Sequence, residues 1–182
     1  MNNCEIILAG FGGQGILFAG KMLAYAAMLK NKQLSWLPSY GPEMRGGTAN
    51  CHVIIGDTPI GSPIVTEPDI LIAMNRPSID RFENSVKKGG YIFADKSLIG
   101  RKIERNDVKA IYVEATETAE KTYGKQLANM VMLGAVLKET GLFSEEEFAT
   151  TIKKSMPAGK QNLAELNLKS VNAGFELLSC KH

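Results

Sequence analysis

Short apolar runs alternate along this chain with segments whose apolar residues recur every three or four positions. Cys4-Glu5-Ile6-Ile7-Leu8-Ala9 is a short apolar run that ends at glycines, and it predicts a buried first strand. Over residues 15–29, Ile16, Ala19, Leu23, Ala26 and Ala27 share one helical face, and Lys30-Asn31-Lys32 ends that helix. Residues 33–37 predict a second strand, stopped by Pro38, and residues 48–55 a third. The connection between those two strands is about ten residues, short for a parallel crossover, which takes a dozen or more. The third strand therefore either runs antiparallel or lies away from its sequence neighbour.

Further on, residues 69–74 predict a buried strand, and Pro77 is placed to open a helix running to Val86. Gly89-Gly90 turns the chain into a strand over 91–94, and another follows over 110–113, with a short helix over 117–123. The last third reads as helical. Residues 126–139 are apolar on nearly all sides, so that helix is either central in its own fold or partly covered by a partner. Gly141 suits a C-cap, and Ser144-Glu145-Glu146-Glu147 has capping-box spacing. Leu168, Val171, Phe175 and Leu178 form the apolar stripe of the final helix. Alternating strands and helices favour an α/β sandwich with a largely parallel sheet.

Composition narrows the classes. The 182 residues fit one domain, 1–182, and no repeat, low-complexity tract or linker divides them. Lys plus Arg is 21 against 19 for Asp plus Glu, so bulk charge points to neither nucleic acid nor membrane. The longest nearly apolar run, 127–137 with Asn129 inside it, falls far short of the ~20 residues of a membrane helix. No basic segment precedes the first apolar stretch, which argues against a secretory signal. Cys4, Cys51 and Cys180 are scattered, as expected of reduced thiols in the cytoplasm. With His52 and His182 as the histidines and no GxSxG elbow, neither a four-ligand metal cluster, nor a cysteine-bound iron–sulfur cluster, nor a serine triad can be read here.

Gly10-Phe11-Gly12-Gly13-Gln14-Gly15 matches GxGxxG between a predicted strand and a predicted helix. The first glycine permits a tight turn, the second the close approach of a ligand, and the third close helix–strand packing. Unpaired N–H groups at the helix start favour an anion such as a diphosphate. The motif makes the fold Rossmann-like: a three-layer sandwich with a mostly parallel central sheet and a helical C-terminal third. The other reading is a glycine turn needed only for packing. An NAD site would place an acid ~20 residues further on, but no Asp or Glu stands between Gly15 and Glu43. That argues against ordinary NAD binding. Gly15 to Lys21 also copies GxxxxGK, yet Met22 stands where a P-loop needs Ser or Thr, and helical periodicity makes Lys21 a solvated residue.

Ser39-Tyr40-Gly41-Pro42-Glu43-Met44-Arg45-Gly46-Gly47 is a loop by composition. In a doubly wound sheet it emerges on the same edge as the glycine loop, where Arg45 would face a bound phosphate as a bidentate donor. Equally, Glu43 and Arg45 would pair with each other or with a neighbouring subunit. Asn75 follows a buried strand, where it either lines the strand-end crevice or caps the next helix. His52, within a strand, points opposite to Cys51 and Val53, while Trp36 and the methionine-rich helix suit the core.

Leu8-Ala9-Gly10-Phe11-Gly12-Gly13-Gln14-Gly15-Ile16, followed by Ser39 to Gly47, resembles the gamma subunit of 2-oxoacid:ferredoxin oxidoreductases. Ala73-Met74-Asn75-Arg76-Pro77-Ser78, Asn129-Met130-Val131-Met132-Leu133-Gly134 and Asn167 to Gly174 are similar to that family too, so the resemblance covers essentially the whole chain. It is nearest the 2-oxoglutarate or branched-chain type. The resemblance implies oxidative decarboxylation of a 2-oxoacid to an acyl-coenzyme A and CO₂, with electrons passed to ferredoxin. It implies thiamine diphosphate and iron–sulfur clusters on partner subunits: alpha, beta and a ferredoxin-like delta. The gamma chain is implied to serve assembly and the path of coenzyme A, with Gly10, Gly12, Gly13, Gln14 and Gly15 matching its glycine motif and Tyr40, Glu43 and Arg45 its second loop; these, together with Asn75 from the strand-end reading above, are the candidate binding residues. No catalytic or metal-binding residue is assigned to it. Alternatives are a purely structural subunit and a stand-alone nucleotide-binding oxidoreductase. For the isolated chain, a monomer and a homodimer both stay open.

Overall fold

The computed structural model describes residues 3–39, 49–157 and 159–179. Its strands are β1 (Cys4–Gly10), β2 (Gln33–Ser39), β3 (Ala49–Gly56), β4 (Ile70–Ala73), β5 (Tyr91–Asp95) and β6 (Lys109–Val113). They form one sheet in the order β2-β3-β1-β4-β5-β6. β1 pairs in parallel with β4, β4 with β5 and β5 with β6. β3 is antiparallel to both β1 and β2, so every other strand runs one way. The short connection thus makes β2 and β3 antiparallel neighbours, the first of the two arrangements that its length allowed. β2 also runs past Pro38 to Ser39. It is an edge strand, where a missing N–H need not break a ladder.

The helices are α1 (Ile16–Leu29), α2 (Arg76–Phe82), α3 (Ala115–Thr122), α4 (Ala128–Thr140), α5 (Glu145–Ser155) and α6 (Gln161–Ser179). α2 stops at Phe82 and gives way to a 3₁₀ turn over Glu83–Ser85, so the helix expected to reach Val86 is shorter. The sheet separates two apolar layers. Ile6, Leu8, Cys51, Val53, Ile72 and Phe93 face α1 and the C-terminal helices. Ile7, Ala9, Ile54, Leu71, Ala73 and Ile92 face α2 and the loops packed beside it. The opposite pointing of neighbours such as Leu8 and Ala9 follows from the two-residue repeat of a strand.

α4 is central in this fold: all ten residues from Ala128 to Leu137 are buried, inside the chain's own core. Its apolarity therefore calls for no partner to cover it. Gly141 caps its C-terminus at φ 64°, and the expected capping box opens α5, with Ser144 and Glu147 exchanging both bonds. α6 packs on α4 through small residues. A Cβ on Gly134 would lie 2.0 Å from the Val171 carbonyl oxygen, and one on Gly174 2.0 Å from that of Val131. That approach recentres the buried face of α6 on Ala164, Asn167, Ser170, Val171, Gly174 and Leu178. Leu168 and Phe175, from the expected stripe, move to half-buried flanks. No helix among the described residues is long and apolar enough to cross a membrane.

Candidate functional site

The topology makes one crevice. β1 and β4 are parallel neighbours, but the chain leaves β1 through α1 towards β2 and leaves β4 through α2 towards β5. α1 and α2 lie on opposite faces of the sheet. Ligands of open α/β sheets bind where connections diverge in this way, beyond the carboxyl ends of the strands.

The glycine loop lies at that point. Phe11, Gly12 and Gly13 are exposed, and Gln14 and Gly15 half-buried. Gly13 has φ 92° and Gly15 φ 71°, a region that favours glycine. Gln14 ties the loop down. Its Oε1 accepts from the Phe11 N–H at 2.6 Å, and its Nε2 donates to the Met74 carbonyl at 3.0 Å, just past the end of β4. Both ends of this amide are engaged inside the protein, so Gln14 shapes the loop. Gly10 makes room for that side chain, since a Cβ there would meet Gln14 Oε1 at 2.7 Å.

Gly15 is the N-cap of α1 and supplies no side-chain cap; no acidic residue occupies the first turn. The Ala19 N–H makes the first bond to the Gly15 carbonyl, so the N–H groups of Ile16, Leu17 and Phe18 have no intrahelical acceptor. Three donors without an intrahelical acceptor, at the positive end of a 14-residue helix, form a place for an anion. An open pocket of about 280 Å³ lies over them, lined by the glycines, Phe11, Ile16, Leu17, Phe18 and Ala49. Phe11 is 44% exposed and Phe18 38%. No cationic side chain is among the pocket's described lining residues; Lys21 is exposed elsewhere on α1.

The described residues on either side of the second loop lie at the same rim: Ser39 is opposite Asn50, and Gly10 opposite Ala49. Tyr40, Glu43 and Arg45 themselves lie outside the described residues. Asn75 is buried and is the N-cap of α2, its Oδ1 accepting from the Ser78 N–H. Beneath α1, Cys51 donates its thiol to the Ile16 carbonyl at 3.7 Å. Burial pushes that thiol up to about 12, so it offers no thiolate near neutral pH. His52 points to the other face, where its Nδ1 accepts from the Val65 N–H. Burial and the nearby Arg81 lower its pKa.

Asn129 takes a part that sequence reasoning did not assign. Nearly buried at the start of α4, it donates from Nδ2 to the Gly15 carbonyl at 3.0 Å and so ties the glycine loop to the central helix. The available signal was an amide inside an otherwise apolar run.

Comparison with known proteins adds an independent finding. The family described as pyruvate ferredoxin/flavodoxin oxidoreductase matches residues 5–177. The ketoisovalerate oxidoreductase subunit VorA of Methanothermobacter thermautotrophicus is 44% identical over 174 residues, 94% of this chain but 36% of that protein. The chain thus spans about a third of the length of that relative. The 2-oxoglutarate synthase subunit KorC of Methanocaldococcus jannaschii is 38% identical, over 95% of this chain and 92% of that one. Among solved structures, the gamma subunit of a keto/oxoacid ferredoxin oxidoreductase from Geobacter sulfurreducens superposes with a TM-score of 0.85 at 32% identity, over 97% of both chains. A 2-oxoglutarate:ferredoxin oxidoreductase from Magnetococcus marinus, solved with 2-oxoglutarate, coenzyme A and succinyl-CoA bound, has the same fold at 22% identity and a TM-score of 0.86. It matches 99% of this chain and 32% of its own.

Proposed function

The chain belongs to the pyruvate ferredoxin/flavodoxin oxidoreductase family, and from that premise we propose that its 182 residues form one gamma-type domain of a cytoplasmic, multisubunit 2-oxoacid:ferredoxin oxidoreductase. The assembly decarboxylates a 2-oxoacid oxidatively to an acyl-coenzyme A and CO₂ and passes the electrons to ferredoxin. Its relatives act on 2-oxoglutarate or ketoisovalerate by name, and the substrate here is of that class. Thiamine diphosphate and the iron–sulfur clusters belong to the alpha, beta and ferredoxin-like delta partners. This chain helps hold the assembly and positions coenzyme A.

One observation carries the coenzyme A part: an uncapped helix N-terminus with three open N–H donors, at the crevice where the sheet's connections diverge. Coenzyme A brings a diphosphate and a 3′-phosphate, and its binding needs no ribose acid of the kind that NAD requires. Glycines at positions 12 and 13 leave the loop open to it. With no cation among the described lining residues, the phosphates draw charge from Arg45 on the second loop or from a partner subunit.

The exposed Phe11 and Phe18 favour a second reading, in which this rim is covered by a partner and binds no ligand. Titrating coenzyme A and NADH separately against the assembled complex decides between them. The expected result is coenzyme A binding that weakens ~10-fold or more, at least about 1.4 kcal/mol, on Gly12→Val while the subunits stay together. Tighter NADH binding lost on the same substitution would overturn the coenzyme A reading. Unchanged coenzyme A binding in Gly12→Val and in Arg45→Ala would leave the structural role.

A further inference from the structure

At this crevice one polar group is left over. Asn75 is 1% exposed. Its Oδ1 accepts from both the N–H and the hydroxyl of Ser78, at 2.9 and 2.6 Å. Those bonds fix which end of the amide is which, because the reversed amide would aim its hydrogens at the Ser78 N–H. Nδ2 is therefore turned away from α2, and it is buried with no hydrogen-bond partner among the described residues.

Capping does not explain that group. Asp and Ser cap a helix as well as Asn does, and neither brings an extra buried N–H pair. Leaving such a donor unpaired opposes folding. The position of Asn75 suggests what the donor is for. Ala9 pairs with Ala73, and the Met74 N–H donates to the Ala9 carbonyl. Asn75 is the residue after Met74, whose carbonyl accepts from Gln14 of the glycine loop. The Gln14 amide spans this crevice, with one bond at each end.

We infer that Asn75 reads the ligand of the glycine-loop crevice: Nδ2 donates to a carbonyl or phosphoryl oxygen of coenzyme A, while Oδ1 goes on capping α2. The inference rests on the coenzyme A reading of this crevice. With Asn75 only 1% exposed, the acceptor reaches Nδ2 as a neighbouring rim side chain gives way.

The test uses the assembled complex with Asn75→Ser and Asn75→Asp, both of which keep an N-cap oxygen. Coenzyme A affinity is measured by calorimetry, KM and kcat separately for coenzyme A and for the 2-oxoacid, and stability by thermal melting. The expected result is melting as in the unsubstituted complex and an unchanged KM for the 2-oxoacid. Coenzyme A binding should weaken ~10-fold in the Ser variant, and further in the Asp variant, whose carboxylate repels the acceptor oxygen. If both variants bind coenzyme A normally while Gly12→Val does not, the inference about Asn75 falls and the coenzyme A reading stands. If Gly12→Val also binds normally, the coenzyme A reading falls and takes this inference with it. Affinity lost only in step with melting temperature assigns Asn75 to the scaffold and overturns the inference.

Discussion

Where α4 crosses α6 the two backbones meet through glycine, whereas after β1 the glycines stand at an open surface. Cβ atoms on Gly134 and Gly174 would each lie 2.0 Å from a carbonyl oxygen of the facing helix. Neither residue has a positive φ, so any amino acid could adopt its backbone; what is required is the absence of volume. Gly13 is the reverse. Its φ is 92°, and a Cβ there would meet nothing within 4 Å. It supplies conformational freedom and leaves space above itself unfilled. Gly15 combines both demands, with φ 71° and a would-be Cβ 2.4 Å from Asn129 Nδ2. The same residue type thus marks packing in one region and access in the other, and only the neighbouring atoms tell the two apart.

The largest effect belongs to the crossing. Gly134→Ala forces backbone against backbone, and no side chain can yield. The gain of ~1 kcal/mol in helix propensity is outweighed by overpacking of ~3–4 kcal/mol, at and above the upper end of its usual range because backbone meets backbone. We expect a net loss of ~2–3 kcal/mol, or roughly 4–12 °C in melting temperature for a chain of this size. Urea and thermal unfolding of the purified chain measure it, and a neutral or stabilising result would mean that the helices do not pack this closely.

Next comes Gly15→Ala. A left-handed residue other than glycine costs ~1–2 kcal/mol. The added methyl group also displaces the Asn129 amide that holds the Gly15 carbonyl. A loss of ~2 kcal/mol is expected, with the amide of Asn129 exchanging faster in hydrogen-exchange measurements. In a double-mutant cycle, Gly15→Ala should cost less on top of Asn129→Ala than alone, a non-additive term that couples the two sites. Strict additivity would break the link between the loop and α4.

These contrasts show what was legible in the sequence. The β1–glycine–α1 unit could be read because its cues are local: an apolar run, GxGxxG and a 3-4 repeat lie within one stretch of chain. Connection length narrowed β3 to two arrangements, antiparallel or away from its sequence neighbour, since too few residues were available for a crossover; the pairing itself decided between them. The face of α6 could not be read in this way. Periodicity scores large apolar residues, and it favoured Leu168 and Phe175. The buried face uses Ser170 and Gly174 because closeness to α4 there outweighs the burial of large side chains. The candidate site was legible as positions, but the part of each depended on remote partners. Gln14 is shaped by Met74, sixty positions away, and Gly15 by Asn129, farther still. Asn75 was open between crevice and cap; its cap bond is local to Ser78, whereas its unpaired Nδ2 could be seen only in three dimensions.

The smallest change in stability offers the sharpest test of the comparison. Gly13→Ala and Gly141→Ala place the same methyl group at positive φ, 92° and 64°, with nothing within 4 Å of either Cβ. Each should cost ~1 kcal/mol, the left-handed penalty less the entropy that glycine loses on folding. Gly141 closes α4 as an ordinary C-cap. It therefore serves as a reference for a glycine needed only for its backbone. If Gly13 also keeps space for a ligand, the two variants should melt alike and bind differently. Coenzyme A affinity of the assembled complex should fall ~10-fold in Gly13→Ala and stay unchanged in Gly141→Ala. Equal affinities would reduce the loop to a turn, because a methyl group on the open side of Gly13 must then meet nothing in the bound state either. Unequal affinities at equal stability would make the empty space above Gly13 a functional feature, one that packing alone has no reason to preserve.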